Sequence, residues 1–351
     1  MWRHFDLFLY LWKTDDSAMK MVPILIIAGA LISCGQPAAE IPKTPEISET
    51  VETTDNTQPE DPDSEADRIM FKLGEEITII EFNIEKGMAA DKENGFDNFV
   101  AWVKEQDPDV LLLCECNEFN DKSLKELAMR WGHPYVAVTI DDGWNPAITS
   151  RYPLEKVKKY TRGFVHGAVR AKIMGVNFLC LHSCASWFDT NNWYGGSEKD
   201  YDGNGYIDSF DYRLAELQNI FDNTIFKEPQ NRYWILSGDL NAVSPTEARW
   251  WNNGESYWVE HKYIQSLDYW NDIMREQHPD TPLFTYARDH RWDEDRMAKT
   301  AENPRQMNYE RLDYFYLSPA ISVYAEESAV ISDSFTDSNS DHRPIVLKLK
   351  F

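Results

Sequence analysis

DPDVLLLCE, residues 107–115, joins a turn to a short apolar run that ends in a carboxylate. Asp-Pro-Asp favours a turn, because proline fixes one backbone angle and aspartate bonds the neighbouring backbone. The run VLLLC has no polar residue in alternation, which predicts a strand that is buried on both faces. Glu115 is then expected where the chain leaves the sheet.

The segments around this strand continue the same pattern. EITIIEFNI (76–84) is a second β-rich run, and FDNFVAWVKEQ (96–106) carries apolar residues at helical spacing between the two. Further strands are predicted at 135–140, 147–150, 167–174, 177–183, 232–239, 311–318 and 343–351, and further helices at 122–132 and 211–226. Several strands follow one another without a helix. The pattern therefore predicts an α/β fold with two mixed sheets face to face and helices outside.

Polar residues recur at the ends of these apolar runs. They are Asn83, Glu85, Glu115, His182, Asp239, Asn241, Asp313, Asp341 and His342. A single residue of this kind is usually a strand-end cap or a turn former. Their recurrence over six segments favours a shared acidic cleft of the kind that a metal-dependent hydrolase uses.

Seven short motifs make this expectation specific. FNIE, PDVLLLCE, SRYP, LHS, GDLN, RLDYFYLS and SDHRPI occur in this order between about residues 76 and 351. Together they resemble the endonuclease/exonuclease/phosphatase superfamily, which includes pancreatic deoxyribonuclease, abasic-site endonucleases, neutral sphingomyelinases and inositol-phosphate 5-phosphatases. The resemblance implies a four-layer α/β sandwich, with Mg²⁺ or Mn²⁺ at the mouth between the sheets, and hydrolysis of a phosphoester.

The resemblance also assigns roles to the strand-end residues. It places Asn83, Glu85, Glu115 and Asp341 at the metal, and His182, Asp239, Asn241, Asp313 and His342 in catalysis. Asp239 is expected to orient or deprotonate the attacking water, and Asp313 to orient a catalytic histidine. Carboxylate and amide oxygens are ligands that suit Mg²⁺.

The charge of the chain bears on the substrate. The formal net charge is −24 over 351 residues, so a phosphate backbone is poorly attracted unless cations bridge the two. Three substrate classes stay open: a small sugar or inositol phosphoester, a phospholipid of the sphingomyelin type, and extracellular DNA, which the charge disfavours. No protein partner is expected.

DYDGNGYIDSFD, residues 200–211, has the pattern of a calcium-binding loop. Its candidate ligands are Asp200, Asp202, Asn204, the carbonyl of Tyr206, Asp208 and Asp211. Gly205 stands at position 6, where such a loop turns sharply. The alternative is an acidic solvated turn. The loop belongs to an insertion at about 185–212, so a bound Ca²⁺ would hold the insertion in place rather than perform hydrolysis.

A competing class of function follows from the same loop. The chain could be a calcium-dependent surface binding module on an inactive hydrolase scaffold. That hypothesis predicts broken catalytic positions, whereas the residues named above are all present.

The first 69 residues predict an export signal and a tether. VPILIIAGALIS (22–33) is too short to span a bilayer but suits the apolar core of a signal peptide. It ends in LISC (31–34), which resembles the bacterial lipobox, so Cys34 is expected to carry a lipid. Residues 1–18 are interpreted as an over-called start, 35–69 as a disordered acidic tether, and 70–351 as the catalytic domain. The prediction is an exported lipoprotein, anchored to a membrane in the periplasm or at the cell surface.

The other four cysteines are too few for a disulfide scaffold in a chain of this length. Cys114 and Cys116 are expected on one face of their strand, while Cys180 and Cys184 flank His182. Buried thiols are the default interpretation, a bridge such as Cys114–Cys180 is the alternative, and the spacing is unusual for zinc. Aromatic clusters in the insertion and at 249–258 either pack loops or select the substrate.

Overall fold

The structure is a computed structural model that describes residues 68–140, 143–185, 200, 205, 207–251, 258–306 and 308–351. The predicted signal segment with Cys34, and Asp202, Asn204 and Tyr206 of the predicted calcium loop, lie outside the described residues. Among the residues that are described, no helix has the length and apolar character needed to cross a membrane.

The strands in these ranges are β1 (Glu76–Asn83), β2 (Val110–Cys114), β3 (Tyr135–Val138), β4 (Ala147–Ser150), β5 (Glu155–Tyr160), β6 (Gly167–Ile173), β7 (Val176–His182), β8 (Trp234–Asp239), β9 (Asn271–Asp272), β10 (Tyr286–Ala287), β11 (Tyr309–Glu310), β12 (Asp313–Leu317), β13 (Ala325–Val330) and β14 (Ile345–Lys350). The helices are α1 (Glu85–Met88), α2 (Asp97–Gln106), α3 (Asp121–Ala128), α4 (Ser209–Asp222), α5 (Val259–Ser266), α6 (Ile273–Gln277), α7 (Glu294–Glu302), α8 (Pro319–Ser322) and α9 (Thr336–Asn339).

Two six-stranded mixed sheets form the body of the fold. The first has the order β13-β14-β1-β2-β4-β3, the second has the order β5-β6-β7-β8-β12-β9, and β10 and β11 form a separate two-stranded ribbon. Each large sheet has a parallel pair near its centre, β1 with β2 and β7 with β8, and the other pairings are antiparallel. The predicted α/β sandwich of two mixed sheets is confirmed.

Three large apolar clusters define the layers of the sandwich, and two smaller ones lie apart from them. One cluster lies between the sheets and includes Leu112, Phe178 and Leu347. A second cluster packs α2 and α3 against the outer face of the first sheet, and a third packs α4 and α5 against the second sheet. The central strands are thus covered on both faces, which explains why VLLLC in β2 and WILSG in β8 contain few polar residues.

The expectation that Cys114 and Cys116 share a strand face is wrong. β2 ends at Cys114, and Glu115 has a φ of 58°, so the period-two alternation stops there. Cys114 packs between the sheets, whereas Cys116 packs in the cluster beneath α2 and α3. The four cysteines within the described ranges are free and buried, as the default interpretation predicted.

Candidate active site

The topology brings the strand-end residues to one edge of the sandwich. β1 ends at Asn83 and the parallel β2 stops one residue before Glu115. In the second sheet, parallel β7 and β8 end at His182 and Asp239. Since the carboxyl ends of parallel strands meet at one edge, each sheet contributes a pair of polar side chains to the same mouth. Antiparallel β12 starts there as well, and Asp313 is the register partner of Asp239.

Asp239 lies at the centre of this group. Its Oδ2 accepts a hydrogen bond of 3.0 Å from Nδ2 of Asn83, and the Nε2 atoms of His182 and His342 each lie 3.6 Å from it. Its Oδ1 accepts a 2.8 Å bond from the backbone N–H of Asn241. Burial raises the pKa of Asp239 to about 6, and the charge of His342 opposes that rise.

His342 is held by Asp313. Nδ1 of His342 lies 2.8 Å from Oδ2 of Asp313, and both side chains are buried. Burial alone would lower the pKa of His342, but the carboxylates of Asp313 and Asp239 raise it well above its ordinary value. The geometry therefore favours a charged imidazolium whose Nε2–H points into the mouth.

His182 is oriented from the other side. Its Nδ1 lies 2.7 Å from the carbonyl oxygen of Trp144, which can only accept, so Nδ1 carries a proton and Nε2 faces Asp239. The ring of His166 stacks on it with centroids 4.3 Å apart. Asn241 has a φ of 48° and donates through Nδ2 to the carbonyl of Ser183 at 3.0 Å.

The predicted metal ligands lie beside this group. Oε1 of Glu115 accepts a 3.2 Å bond from Nδ2 of Asn83, and Oε2 accepts a 2.9 Å bond from the backbone N–H of Lys86. Glu85 and Asp341 approach each other across His290, with ligand atoms of the three residues within 4.8 Å of one another. Oδ1 of Asp341 is buried and has no hydrogen-bond partner among the described residues. A carboxylate-rich set with an unsatisfied buried oxygen fits a hard divalent cation.

Sequence reasoning missed two residues near the site. His290 is a lone histidine in a loop, for which no spacing pattern gives a signal. Glu81 is fully buried in β1, and neither carboxylate oxygen finds a hydrogen-bond partner in the described part of the chain. Burial, followed by the charge of Asp313, raises the pKa of Glu81 well above its ordinary value. Its place two positions before Asn83, on the same face of the strand, was the signal that could have found it.

The described part of the predicted calcium loop leads into α4. Asp208 is the N-cap, with Oδ1 accepting from the N–H of Phe210 at 2.9 Å, and Oδ2 of Asp211 accepts from the N–H of Asp208 at 2.9 Å. Gly205 has a φ of 90°, as the sharp turn requires, and its N–H donates to Asp200 at 2.8 Å. Calcium binding stays a prediction, and two of its candidate ligands already cap a helix.

A cavity of about 300 Å³ opens beside Asp239. His182, Asp239, Asn241 and His342, which are predicted to be catalytic, line it, and Trp144, Phe210, Trp251 and Tyr286 add aromatic surface. Arg288 and Glu310, which form an ion pair, also line it. Arg311 lies outside this cavity, buried between Glu247 and Asp272.

Comparison with known proteins defines the class of protein. The family model described as the endonuclease/exonuclease/phosphatase family matches residues 80–342. The chain belongs to this family, and its fold is that of a phosphoesterase or nuclease.

Solved structures share the fold at low sequence identity. An AP endonuclease from Archaeoglobus fulgidus has a TM-score of 0.55 and 19% identity, covering 78% of this chain and 100% of that chain. A variant of the 3′ phosphatase NExo from Neisseria, bound to a product DNA hairpin, has a TM-score of 0.57 and 16% identity with the same coverage. A humanized D. rerio TDP2 has a TM-score of 0.51 and 15% identity, covering 79% of this chain and 99% of that chain. No curated protein matches the sequence.

Proposed function

We propose that this chain is an exported, lipid-anchored phosphoesterase that hydrolyses its substrate by cation-assisted attack of water. The observation that carries the hydrolytic part is the environment of Asp239. A buried carboxylate there accepts from Asn83, faces two histidine Nε2 atoms, and adjoins a carboxylate set that fits a divalent cation.

Each side chain has a task that its contacts support. Glu85, Glu115 and Asp341 would hold the cation, which when bound withdraws charge from the phosphoryl oxygens. Asp239 orients the attacking water and takes its proton. The imidazolium of His342 donates through Nε2 to a phosphoryl oxygen, and Asp313 keeps that ring charged and oriented. Asn241, fixed by Ser183, has a second N–H for the phosphate.

The cavity favours a compact substrate. Its volume of about 300 Å³ and its aromatic walls suit the ring of a sugar or inositol phosphoester. A net charge of −24 argues against a long nucleic acid. A phospholipid of the sphingomyelin type and extracellular DNA are the alternatives, the latter because NExo, a structural neighbour, is seen with product DNA.

Product identity tests this function. The full chain in detergent is incubated with Mg²⁺ and a panel of inositol phosphates, sugar phosphates, sphingomyelin vesicles and plasmid DNA. We expect cleavage of a small phosphoester that stops on adding a chelator. The kcat of the Asp239→Asn variant should be lower by about 10²-fold or more, and the variant should stay folded. Cleavage that persists with the chelator and in the Asp239→Asn variant would contradict the mechanism. Cleavage of DNA alone would show that the substrate is DNA and not a small phosphoester.

Export and anchoring rest on the sequence of residues 20–34. Expression in a bacterial host with an alkyne-tagged fatty acid tests them directly. The wild-type chain should take up the label in the membrane fraction, and Cys34→Ala should not. A wild-type chain that stays unlabelled and cytosolic would contradict both export and lipid anchoring.

The calcium proposal concerns stability rather than turnover. Ca²⁺ at residues 200–211 should raise the melting temperature of the chain without raising kcat, because the loop leads into α4 and not into the carboxylates beside Asp239. Equal melting temperatures with Ca²⁺ and with a chelator would show that the loop is an acidic turn that does not bind calcium.

A further inference from the structure

His290 faces the predicted metal ligands from across the mouth. Its Nδ1 lies 3.4 Å from Oε2 of Glu85, and its Nε2 lies 3.8 Å from Oδ2 of Asp341. Both distances are longer than an ordinary hydrogen bond. Only one ring nitrogen can bind a given ion, and one ligand atom from each of His290, Glu85 and Asp341 lies within 4.8 Å of the others. Ligand bonds of about 2.1 Å place octahedral neighbours about 3 Å apart and opposite ligands about 4.2 Å apart, so a small turn of the ring brings one nitrogen into ligand range.

Backbone pairing fixes the start of the loop that carries this histidine. The N–H of Ala287 donates to the carbonyl of Asp341 at 2.9 Å, and the N–H of Arg343 donates to the carbonyl of Thr285 at 2.7 Å. The N–H of His290 then closes a turn onto the carbonyl of Ala287 at 2.9 Å. The position of His290 beside Asp341 therefore follows from the register of the two segments.

The residues on either side of His290 are anchored away from the carboxylates. Asp289 accepts a 2.7 Å bond from Arg296 of α7. The side chain of Arg291 donates to Asp289 at 2.8 Å, and its carbonyl accepts a 2.7 Å bond from the hydroxyl of the buried Tyr309. Of these three consecutive side chains, only that of His290 is presented to Glu85 and Asp341.

The unsatisfied oxygen of Asp341 is an independent sign of a bound cation at this place. Its Oδ1 is buried without a hydrogen-bond partner in the described residues, although the same carboxylate is close to His290 through Oδ2. A buried carboxylate oxygen that makes no bond costs free energy, and a coordinated ion removes that cost.

We propose that His290 is a ligand of the catalytic cation and that it shifts the preference of the site from Mg²⁺ towards Mn²⁺. The inference rests on the proposed function in that it concerns the same cation. An all-oxygen set suits Mg²⁺, whereas an imidazole nitrogen favours later divalent ions of the first transition row. The side chain is about half exposed, at 53%, so it can turn to present either nitrogen.

Direct measurement of metal binding tests this role without an activity assay. The full chain is stripped with a chelator, Mn²⁺ and Mg²⁺ affinities are measured by calorimetry, and pulsed electron paramagnetic resonance detects nitrogen bound to Mn²⁺. We expect His290→Ala to weaken Mn²⁺ binding about tenfold and to remove the nitrogen signal, with Mg²⁺ affinity changed by about twofold or less. His290→Gln, which offers an oxygen, should keep Mg²⁺ affinity and lose the nitrogen signal.

Two further variants separate the outcomes. His278→Ala removes a histidine whose Nε2 bonds the carbonyl of Ser328 at 2.6 Å, and it should change neither affinity nor signal. One outcome is that Glu115→Ala abolishes Mn²⁺ binding while His290→Ala keeps the nitrogen signal and the ratio of Mn²⁺ to Mg²⁺ affinity. That result would show that His290 is not a ligand, and the proposed function would stand. If the wild-type chain binds neither ion, both proposals fail together.

Discussion

In the proposed mechanism Asp313 acts only through His342, and this gives a prediction at the residue scale. Asp313→Asn removes the charge that most raises the pKa of His342 and leaves a neutral amide 2.8 Å from Nδ1. We expect kcat to fall by about 10²-fold or more, with KM changed far less, because the imidazolium acts on the transition state. Steady-state kinetics on the substrate found in the panel measures both constants.

A stability measurement separates this role from a structural one. Because the charge of Asp313 also stabilises the buried imidazolium of His342, Asp313→Asn should lower the free energy of unfolding as well as kcat. A variant that unfolds more easily and keeps its kcat would show that Asp313 supports the fold instead.

At the residue scale, sequence reasoning found those positions that short motifs mark. Asn83, Glu115, Asp239 and His342 stand in FNIE, LLLCE, GDLN and SDH, and the structure brings all four together. His290 was not found, because its place beside Asp341 depends on the pairing of distant segments. Glu81 was missed although its position two residues before Asn83 gave a local signal. The roles of the predicted residues stay predictions until variants are measured.

At the scale of elements, Gly238 determines how closely β7 and β8 approach each other, and its substitution gives a testable prediction. Its φ is 136°, and a Cβ atom there would lie 2.0 Å from the carbonyl oxygen of Leu181. Gly238→Ala must push β8 away from the neighbouring backbone, one residue before Asp239. We expect a loss of about 3 kcal/mol or more in the free energy of unfolding, measured by urea titration.

Gly132 provides the matched control for that substitution. It also has a positive φ, 95°, but a Cβ atom there would meet nothing within 4 Å. Gly132→Ala should therefore cost only the backbone strain, about 1 kcal/mol. Equal losses for the two variants would show that the approach of β7 and β8 is not as tight as described.

Elements with a strong hydrophobic pattern were predicted well, and polar edge elements were not. β2 and β8 are buried along their whole length, so their apolar runs marked them. β5 (EKVKKY) and β13 (AEESAV) lie at sheet edges with many exposed side chains, and neither has a regular apolar alternation. Pairing with a buried neighbour makes these segments strands, and that information is not local.

The stability of the whole molecule should depend on pH through His133. Its ring is buried between Thr149 Oγ1 at 2.7 Å and the carbonyl of Pro108 at 2.8 Å, and burial lowers its pKa to about 4. Between that value and the unfolded value of 6.5, the unfolded chain binds a proton that the folded chain does not. This contribution to stability is complete above pH 6.5 and is lost as pH falls towards 4.

His133→Gln isolates this contribution from the many carboxylates that titrate in the same range. The difference in unfolding free energy between wild type and variant should grow by about 1.4 kcal/mol per pH unit from pH 4.5 to 6.5, and stay constant above that. Urea titrations at half-unit intervals give the difference. A constant difference over the whole range would show that His133 is protonated equally in both states.

The pairing of β14 with β1 has a consequence for when the enzyme can act. The strand nearest the carboxyl terminus lies between β13 and β1, and the ring of Phe351 stacks on that of Phe71 at 4.7 Å. Asp341 and His342 come just before β14, so a nascent chain that has emerged only as far as β12 lacks both a central strand and two residues of the mouth. If Asp341 and His342 act as proposed, hydrolysis must wait until synthesis has passed β14, and premature termination would release inert fragments rather than a partly active enzyme.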